Sequence, residues 1–456
     1  MHCLCFYQQS LHTEAVCLLK SIERERERER ERASKSKWNY PKLILWFSLL
    51  SNLGILFFYK YFNFVNTSFS KFFEAIHFSW GFENLNILLP VGISFYTFQA
   101  LSYSLDVYHG KTEVTNHFGK YALFVSFFPQ LVAGPIERSY QLLPQFDKRV
   151  TFDYDRIKDG LGLVLWGVFK KVVIANRLAV VVNTVYENPS NYLGFELVIA
   201  TIFFAFQIYT DFSAYTDIAR GSARILGFEL MKNFKQPYFA TSIPDFWRKW
   251  HISLTTWFRD YVYIPLGGNR VSKTRWYINI MIVFLVSGLW HGAAWNFLIW
   301  GFLHGIFQLI DLQTKSFRIK SNVYLNIDAT KFDIKIFKTL WTFILVCFAW
   351  IFFRAESFDK AIDIVLLSAN FNPWVLFDGS LYNLGLDSKD FNLSILLILL
   401  LLSFWKMEQH FSIRKQLQRQ HFIFRQLAYA SFIITIVVFG FYGVNYDASQ
   451  FIYFQF

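Results

Sequence analysis

The chain has 456 residues, of which 54% are hydrophobic and only 17% charged, with a net charge of +12. A soluble chain carries about 25% charged residues, and the apolar excess here gathers in long charge-free runs, which excludes a set of ordinary soluble domains. The positive charge falls between apolar runs and not on one amphipathic face. That argues against nucleic acid and for short basic loops on the cytoplasmic side of a membrane.

Residues 1–40 differ from the rest. Residues 23–32 are five Glu-Arg dipeptides. On a helix this alternation sets like charges at every i,i+4 pair, and on a strand it makes one face all Glu and the other all Arg. Neither buries, so the segment reads as low-complexity and disordered, or as a mis-assigned start. Cys3, Cys5, Cys17 and Cys347 have no metal or disulfide spacing, and a metal site is not expected.

From residue 41 onward the pattern predicts one all-α, polytopic integral membrane domain, 41–456. A bilayer is crossed by roughly 20 apolar residues. Leu43–Tyr59, flanked by Lys42 and Lys60, is just long enough, and Asn84–Leu105 follows with Pro90 and Gly92 near its start. In 127–138, Pro129, Gly134 and Pro135 oppose a continuous helix, so a broken or re-entrant element is expected, of the kind tolerated only where protein or water satisfies the backbone. A basic loop spans 137–159. Leu161–Asn176 is interrupted by Lys170 and Lys171, and Leu178–Tyr186 follows.

Leu197–Thr210 runs into Asp211-Phe-Ser-Ala-Tyr-Thr-Asp217, where Asp217 and Arg220 stand three apart and pair on one helical face. Ser242-Ile-Pro-Asp245 reads as a capping box opening a helix that stops by Pro265. Trp247, Trp250, Leu254, Trp257 and Phe258 share its apolar face, interrupted by Arg248, Lys249, Arg259 and Asp260, with His251 beside Trp250. That mixture suits a helix at a membrane surface or against the protein core.

Trp276–Ile310 holds 35 residues without a formal charge, ~52 Å as one helix. It exceeds a single ~30 Å crossing, so it tilts strongly, breaks, or forms two segments. Gly288 and Gly292, then Gly301 and Gly305, are small-xxx-small pairs suited to close helix contact. His291 lies inside this run, with Ser287 four before and Trp295 four after on the same face of an unbroken helix. His304, 13 residues on, would then be roughly 20 Å away. Leu312–Lys338 is read as a polar loop, Thr339–Phe353, Phe391–Trp405 and Gln426–Tyr446 as further apolar runs, and Lys406–Arg425 as a basic loop. The count is about nine or ten embedded helices.

Phosphate loops, zinc-protease motifs and hydrolase elbows are absent from the sequence. What stands out is His251 and His291. An ionisable residue in an apolar run is a functional candidate, and imidazole titrates near neutrality, so it can take a hydroxyl's proton. Each also fits a plain packing role. Two function classes remain open from the residues alone: an enzyme, or a transporter or non-catalytic scaffold built from broken helices.

At these residues the chain resembles the membrane-bound O-acyltransferases, in the branch of bacterial alginate O-acetyltransferases related to the D-alanyl transfer proteins of teichoic acids. The resemblance rests on DFSAYTD at 211–217, NFKQPYFATSIPDFWRKWHISLTTWFRDYVYIPLGG at 233–268 and SGLWHGAAWNFLIWG at 287–301. LPVGISFYTFQALSY at 89–103, FFPQLVAGPIER at 127–138, FAWIFFRAESF at 348–358 and the terminal FIYFQF add to it.

The resemblance implies a ring of about nine to eleven transmembrane or re-entrant helices around a central funnel, in the bacterial cytoplasmic (inner) membrane. It implies catalytic roles for His291 and His251. Asn296, Trp290, Asp211, Arg248, Arg259 and Asp260 fall inside the quoted motifs and are assigned to substrate binding or structural support. The implied reaction moves an acetyl group from a cytoplasmic thioester donor to hydroxyls of an extracytoplasmic polysaccharide, an alginate-like exopolysaccharide or a cell-wall glycan. The donor would be acetyl-coenzyme A or another acyl thioester, with no tightly bound cofactor. The implied partners are the bilayer and periplasmic or extracellular acetyltransferase proteins. Two departures stand out: Ala214 and Thr216 replace the branch's usual Gly and Ser, and members carry hydrophobic helices before the counterpart of Pro41, so N-terminal helices are expected to be missing here.

The basic loops predict topology. Cysteines introduced into 137–159 or 406–425 should resist a membrane-impermeant maleimide applied to intact cells. Efficient labelling of either loop would reverse the orientation.

Overall fold

The structure, a computed structural model, describes residues 40–131 and 134–442. The Glu-Arg run, Cys3, Cys5, Cys17, Val132, Ala133 and the terminal FIYFQF lie outside the described residues. Every regular element among the described residues is helical, as the charge-free runs require: away from water, a backbone must satisfy its own hydrogen bonds. The chain packs as two compact units, one running to Arg156 and taking in Ala223–Met231, the other formed by Ile157–Ser222 and the residues from Lys232 onward.

In the first unit, α1 (Tyr40–Leu56) passes through a π-turn at Phe57–Tyr61 into α2 (Phe62–Ala75). The apolar run expected to stop at Lys60 therefore continues past it, because the Lys60 ammonium donates to the Ser94 hydroxyl at 3.3 Å. The run Asn84–Leu105 is helical only from α3 (Ile93–Tyr108). Gly92, at φ 77°, adopts a left-handed turn before it, which glycine does without steric cost. Asn84 instead accepts from the Asn66 amide at 2.9 Å. α1 and α3 meet through the Ser48 and Ser104 hydroxyls, 3.0 Å apart. After α4 (Phe118–Ser126) the described part of 127–138 is non-helical, as its prolines predict, and α5 (Ser139–Leu142) follows. The buried Glu137 carboxylate accepts from the Met231 N–H at 2.7 Å.

The second unit holds α6 (Tyr154–Phe169), a π-turn at Lys170–Ala175 and α7 (Asn176–Glu187), one helical path through two runs that read separately in sequence. α8 (Phe195–Ile225) is its axis: 83% of its most apolar window is buried. Then come α9 (Ile243–Lys249), α10 (Ile252–Phe258), α11 (Lys273–His291), α12 (Trp295–Tyr324) and α13 (Phe332–Arg354). α14 (Phe358–Ser368), α15 (Ser388–Glu408), α16 (Ile413–Gln418) and α17 (Phe422–Phe439) complete the series. The supposed polar loop Leu312–Lys338 is largely helical, since α12 runs to Tyr324 and α13 begins at Phe332. Five helical stretches among the described residues, Pro41–Ala75, α8, α13, α15 and α17, are long and apolar enough to cross a bilayer.

Trp276–Ile310 breaks. α11 ends at His291 and α12 starts at Trp295, so the two fold back on each other. Their crossing is set by Gly288 and Gly301. A Cβ on Gly288 would sit 2.3 Å from the Phe297 carbonyl oxygen, and one on Gly301 2.3 Å from that of Phe284. Backbone occupies the space a side chain would need, which is the close approach small residues permit.

Gly301→Val should therefore abolish the monodisperse size-exclusion peak of the detergent-extracted protein. Gly54→Ala, with nothing within 4 Å of the added carbon, should leave it intact. A wild-type profile for Gly301→Val would show that the crossing can open.

Candidate functional site

The segment 233–268 builds one half of the site. Ser242 caps α9 as predicted, its hydroxyl accepting the Asp245 N–H at 3.2 Å. Burial pushes the Asp245 carboxyl up, but the Lys249 ammonium at 2.7 Å outweighs it. With the Thr241 N–H and Arg248 adding to that, the group is held below the usual carboxylate range.

The helix expected to run on toward Pro265 stops at Lys249. His251 adopts a left-handed backbone, φ 42°, a conformation that costs a non-glycine residue on the order of 1–3 kcal/mol. Asn233 holds it there. Its carbonyl accepts the Ile252 N–H at 2.9 Å, its side-chain oxygen accepts the Ser253 N–H at 3.1 Å, and the nearby Lys235 N–H donates to the Lys249 carbonyl at 2.9 Å. Asn233 thus supplies from a distant segment the cap that α10 lacks locally.

The other half is the α11–α12 break. His291 is the last residue of α11, and Trp290 beside it carries the ring that joins the halves: 4.9 Å from the His291 centroid and 6.1 Å from that of His251. Phe212 of α8 also meets the His251 ring edge-on at 4.7 Å. His291 is further enclosed by Trp300 at 5.0 Å and Phe353 at 5.2 Å. Both imidazoles are buried, His251 completely.

The break corrects two readings made for an unbroken helix. Trp295 does not share a face with His291 but opens α12, 57% exposed. His304 is not remote: it touches Trp300 at 5.0 Å, the same ring that touches His291, and Trp247 at 4.9 Å.

Among the supporting residues, Asn296 donates to the Ala355 carbonyl at 2.9 Å and ties α12 to the end of α13. Asp211, next to Phe212, pairs with Lys171 at 2.8 Å. Lys170 donates to Asp217 at 2.7 Å and to Ser213 at 2.8 Å, and Asp217 also takes Arg220 at 3.1 Å, as the spacing predicted. Arg248 points outward, 70% exposed, toward Asp245. Arg259 and Asp260 pair with each other two turns beyond His251. The structure does not bring these last three into the ring cluster. Among the described residues, no group of three or more His, Cys, Asp or Glu side chains could hold a metal.

Sequence reasoning missed Asn233, Phe212, Trp300 and Phe353 as parts of the site. All four fall inside the motif stretches, at 211–217, 233–268, 287–301 and 348–358, so position alone could have raised them, but no periodicity marks them.

The Asn233 clamp is testable by stability. Asn233→Ala should lower unfolding stability by about 0.5–2 kcal/mol, as loss of a cap does, read as a lower melting temperature in detergent. An unchanged melting temperature would mean the turn is held by other contacts.

A profile of the membrane-bound O-acyltransferase family matches residues 114–355. The chain is 40% identical over 330 residues to an Azotobacter vinelandii protein named "Probable alginate O-acetylase", an alignment covering 72% of this chain and 63% of that one. It is 37% identical over 352 residues to the "Peptidoglycan O-acetyltransferase" of Helicobacter pylori, covering 72% and 64%. It is 26% identical over 297 residues to the "Teichoic acid D-alanyltransferase" of Bacillus subtilis, covering 60% and 70%. The chain thus spans under two thirds of the alginate and peptidoglycan relatives. With a family profile over more than half its length and its apolar helices, this multi-pass chain belongs to the membrane-bound O-acyltransferase family.

Proposed function

We propose that the protein is an O-acyltransferase of the bacterial inner membrane, moving an acetyl group from a cytoplasmic thioester, acetyl-coenzyme A or another, to hydroxyls of an extracytoplasmic polysaccharide. The acceptor is reached directly or through periplasmic acetyltransferase partners. The relatives' printed names favour a glycan acceptor, since alginate, peptidoglycan and teichoic acid are all envelope or secreted polymers.

One observation carries the reading: a histidine at a helix break, His291, joined through the Trp290 ring to a second histidine held in a strained turn, His251. Backbone strain retained at a packed site is a mark of function. His291 acts as general base. It takes the acceptor hydroxyl's proton as the oxygen attacks the thioester carbonyl; the carbon–sulfur bond breaks, and the proton passes on to the departing thiolate. His251 positions the reacting groups, and the surrounding rings keep water from hydrolysing the thioester.

General-base catalysis contributes typically ~10²–10⁴-fold in rate. His291→Gln keeps much of the size but cannot take the proton. Acetylation of the acceptor in membranes should fall at least ~100-fold at unchanged protein abundance, with His251→Gln impaired less. Near-wild-type turnover in His291→Gln would reject the catalytic role and favour a transporter or scaffold.

A further inference from the structure

His291 meets its aromatic neighbours nearly at right angles: Trp290 at 4.9 Å and 82°, Trp300 at 5.0 Å and 84°, and Phe353 at 5.2 Å and 74°. Rings at these distances and angles meet edge to face. A base that takes a proton in such a place becomes a cation shut away from water, which is costly unless something answers the charge. An aromatic face is negative and attracts a cation, and of the aromatic side chains tryptophan does so best.

Trp300 is placed for that task. It lies on α12 while His291 ends α11, so the hairpin brings the two rings together. It is fully buried. Trp350 stacks on it at 5.9 Å and 17°, and Trp247 and His304 pack against it at 5.8 and 5.0 Å, which fixes its plane. A buried tryptophan usually gives its N–H to an acceptor. The Trp300 Nε1 has no hydrogen-bond partner among the described residues, so that polar handle does not account for an indole here. What distinguishes tryptophan from phenylalanine at this position is then its size and its π face. Trp290 offers a second indole, but it also touches His251, so a change there would disturb both histidines.

We infer that Trp300 is a positioning residue for acyl transfer: the His291 imidazole turns its edge to the indole face, and that face stabilises His291 while it carries the acceptor hydroxyl's proton. The inference rests on the reading of His291 as general base. It adds no bond and no further proton. The charge appears on His291 when the hydroxyl proton arrives, and it leaves with that proton to the thiolate. Neutral imidazole gains little from the face, so the contact favours the charged transition state over the ground state and raises kcat without tightening substrate binding.

The test varies the face and keeps the shape. Tryptophan analogues with a rising number of ring fluorines, which drain the π face, are placed at position 300 of the full chain by stop-codon suppression. Release of coenzyme A from acetyl-coenzyme A is followed in membranes, with His291→Gln membranes as the baseline and protein abundance checked by blotting. The kcat should fall with each added fluorine, at least about tenfold across the series, with the KM for acetyl-coenzyme A unchanged. The same analogues at Trp374, which is 61% exposed, should change nothing. Benzothienylalanine at position 300 keeps the face and lacks the N–H, and it should stay near wild type. A packing role would give a flat series, because the shape is kept. A flat or rising series at unchanged abundance overturns the inference and leaves the base in place. A large loss with benzothienylalanine also overturns it, by giving the role to the N–H. Wild-type turnover in His291→Gln removes the base and the inference together.

Discussion

Asn233 holds the turn at His251, and the site depends on that grip. Within or beside a bilayer, a chain can leave the helix only where protein supplies the lost hydrogen bonds. Here one residue satisfies the Ile252 and Ser253 N–H groups with its carbonyl and its side chain. That support lets α9 end at Lys249, turns His251 into its left-handed backbone, and sets its ring against those of Phe212 and Trp290. Without it, 243–258 would relax toward a continuous helix, and His251 would lie on a face fixed by periodicity instead of by the site.

The second break obeys the same rule by other means. Between His291 and Trp295 the chain reverses, and the Gly288–Gly301 crossing lets the two helices meet backbone to backbone. The buried charges are likewise satisfied from neighbours. Lys170 and Lys171, adjacent at a π-turn, reach two aspartates six residues apart on α8. An unpaired charge at this depth would cost several kcal/mol, so these pairs fix how α6 and α7 sit on α8, which in turn carries Phe212 to His251.

Much of this was legible in sequence, and the reasons differ by element. The Ser242 cap, the non-helical described part of 127–138 and the Asp217–Arg220 pair follow from local rules and read directly. Charge-free length revealed the apolar runs but not their ends: the helical path continues past Lys60 into α2, where Ser94, 34 residues away, accepts a hydrogen bond from the Lys60 ammonium. The histidines stood out as ionisable groups in apolar or aromatic surroundings. Their mutual placement was not legible, because the length of the 35-residue charge-free run made a break one of several outcomes without fixing it at 292–294. The same break made His304 look distant when its ring lies one tryptophan from His291. Asn233 was visible only as the first letter of a matched stretch, since its partners lie 19 and 20 residues downstream.

The hairpin of α11 and α12 has a consequence for the order of assembly. Its partners are joined by a link of only three residues, 292–294, so loop closure costs little entropy and the contact forms early once both helices are made. The turn that presents His251 is different, for it needs α9 and α10 to come back onto 233–235, and its ring needs α8 and α11 in place. His291 is therefore set by a local event and His251 by a late one. A damaged chain can then insert, fold its hairpin and persist in the membrane with one histidine in position and the other astray.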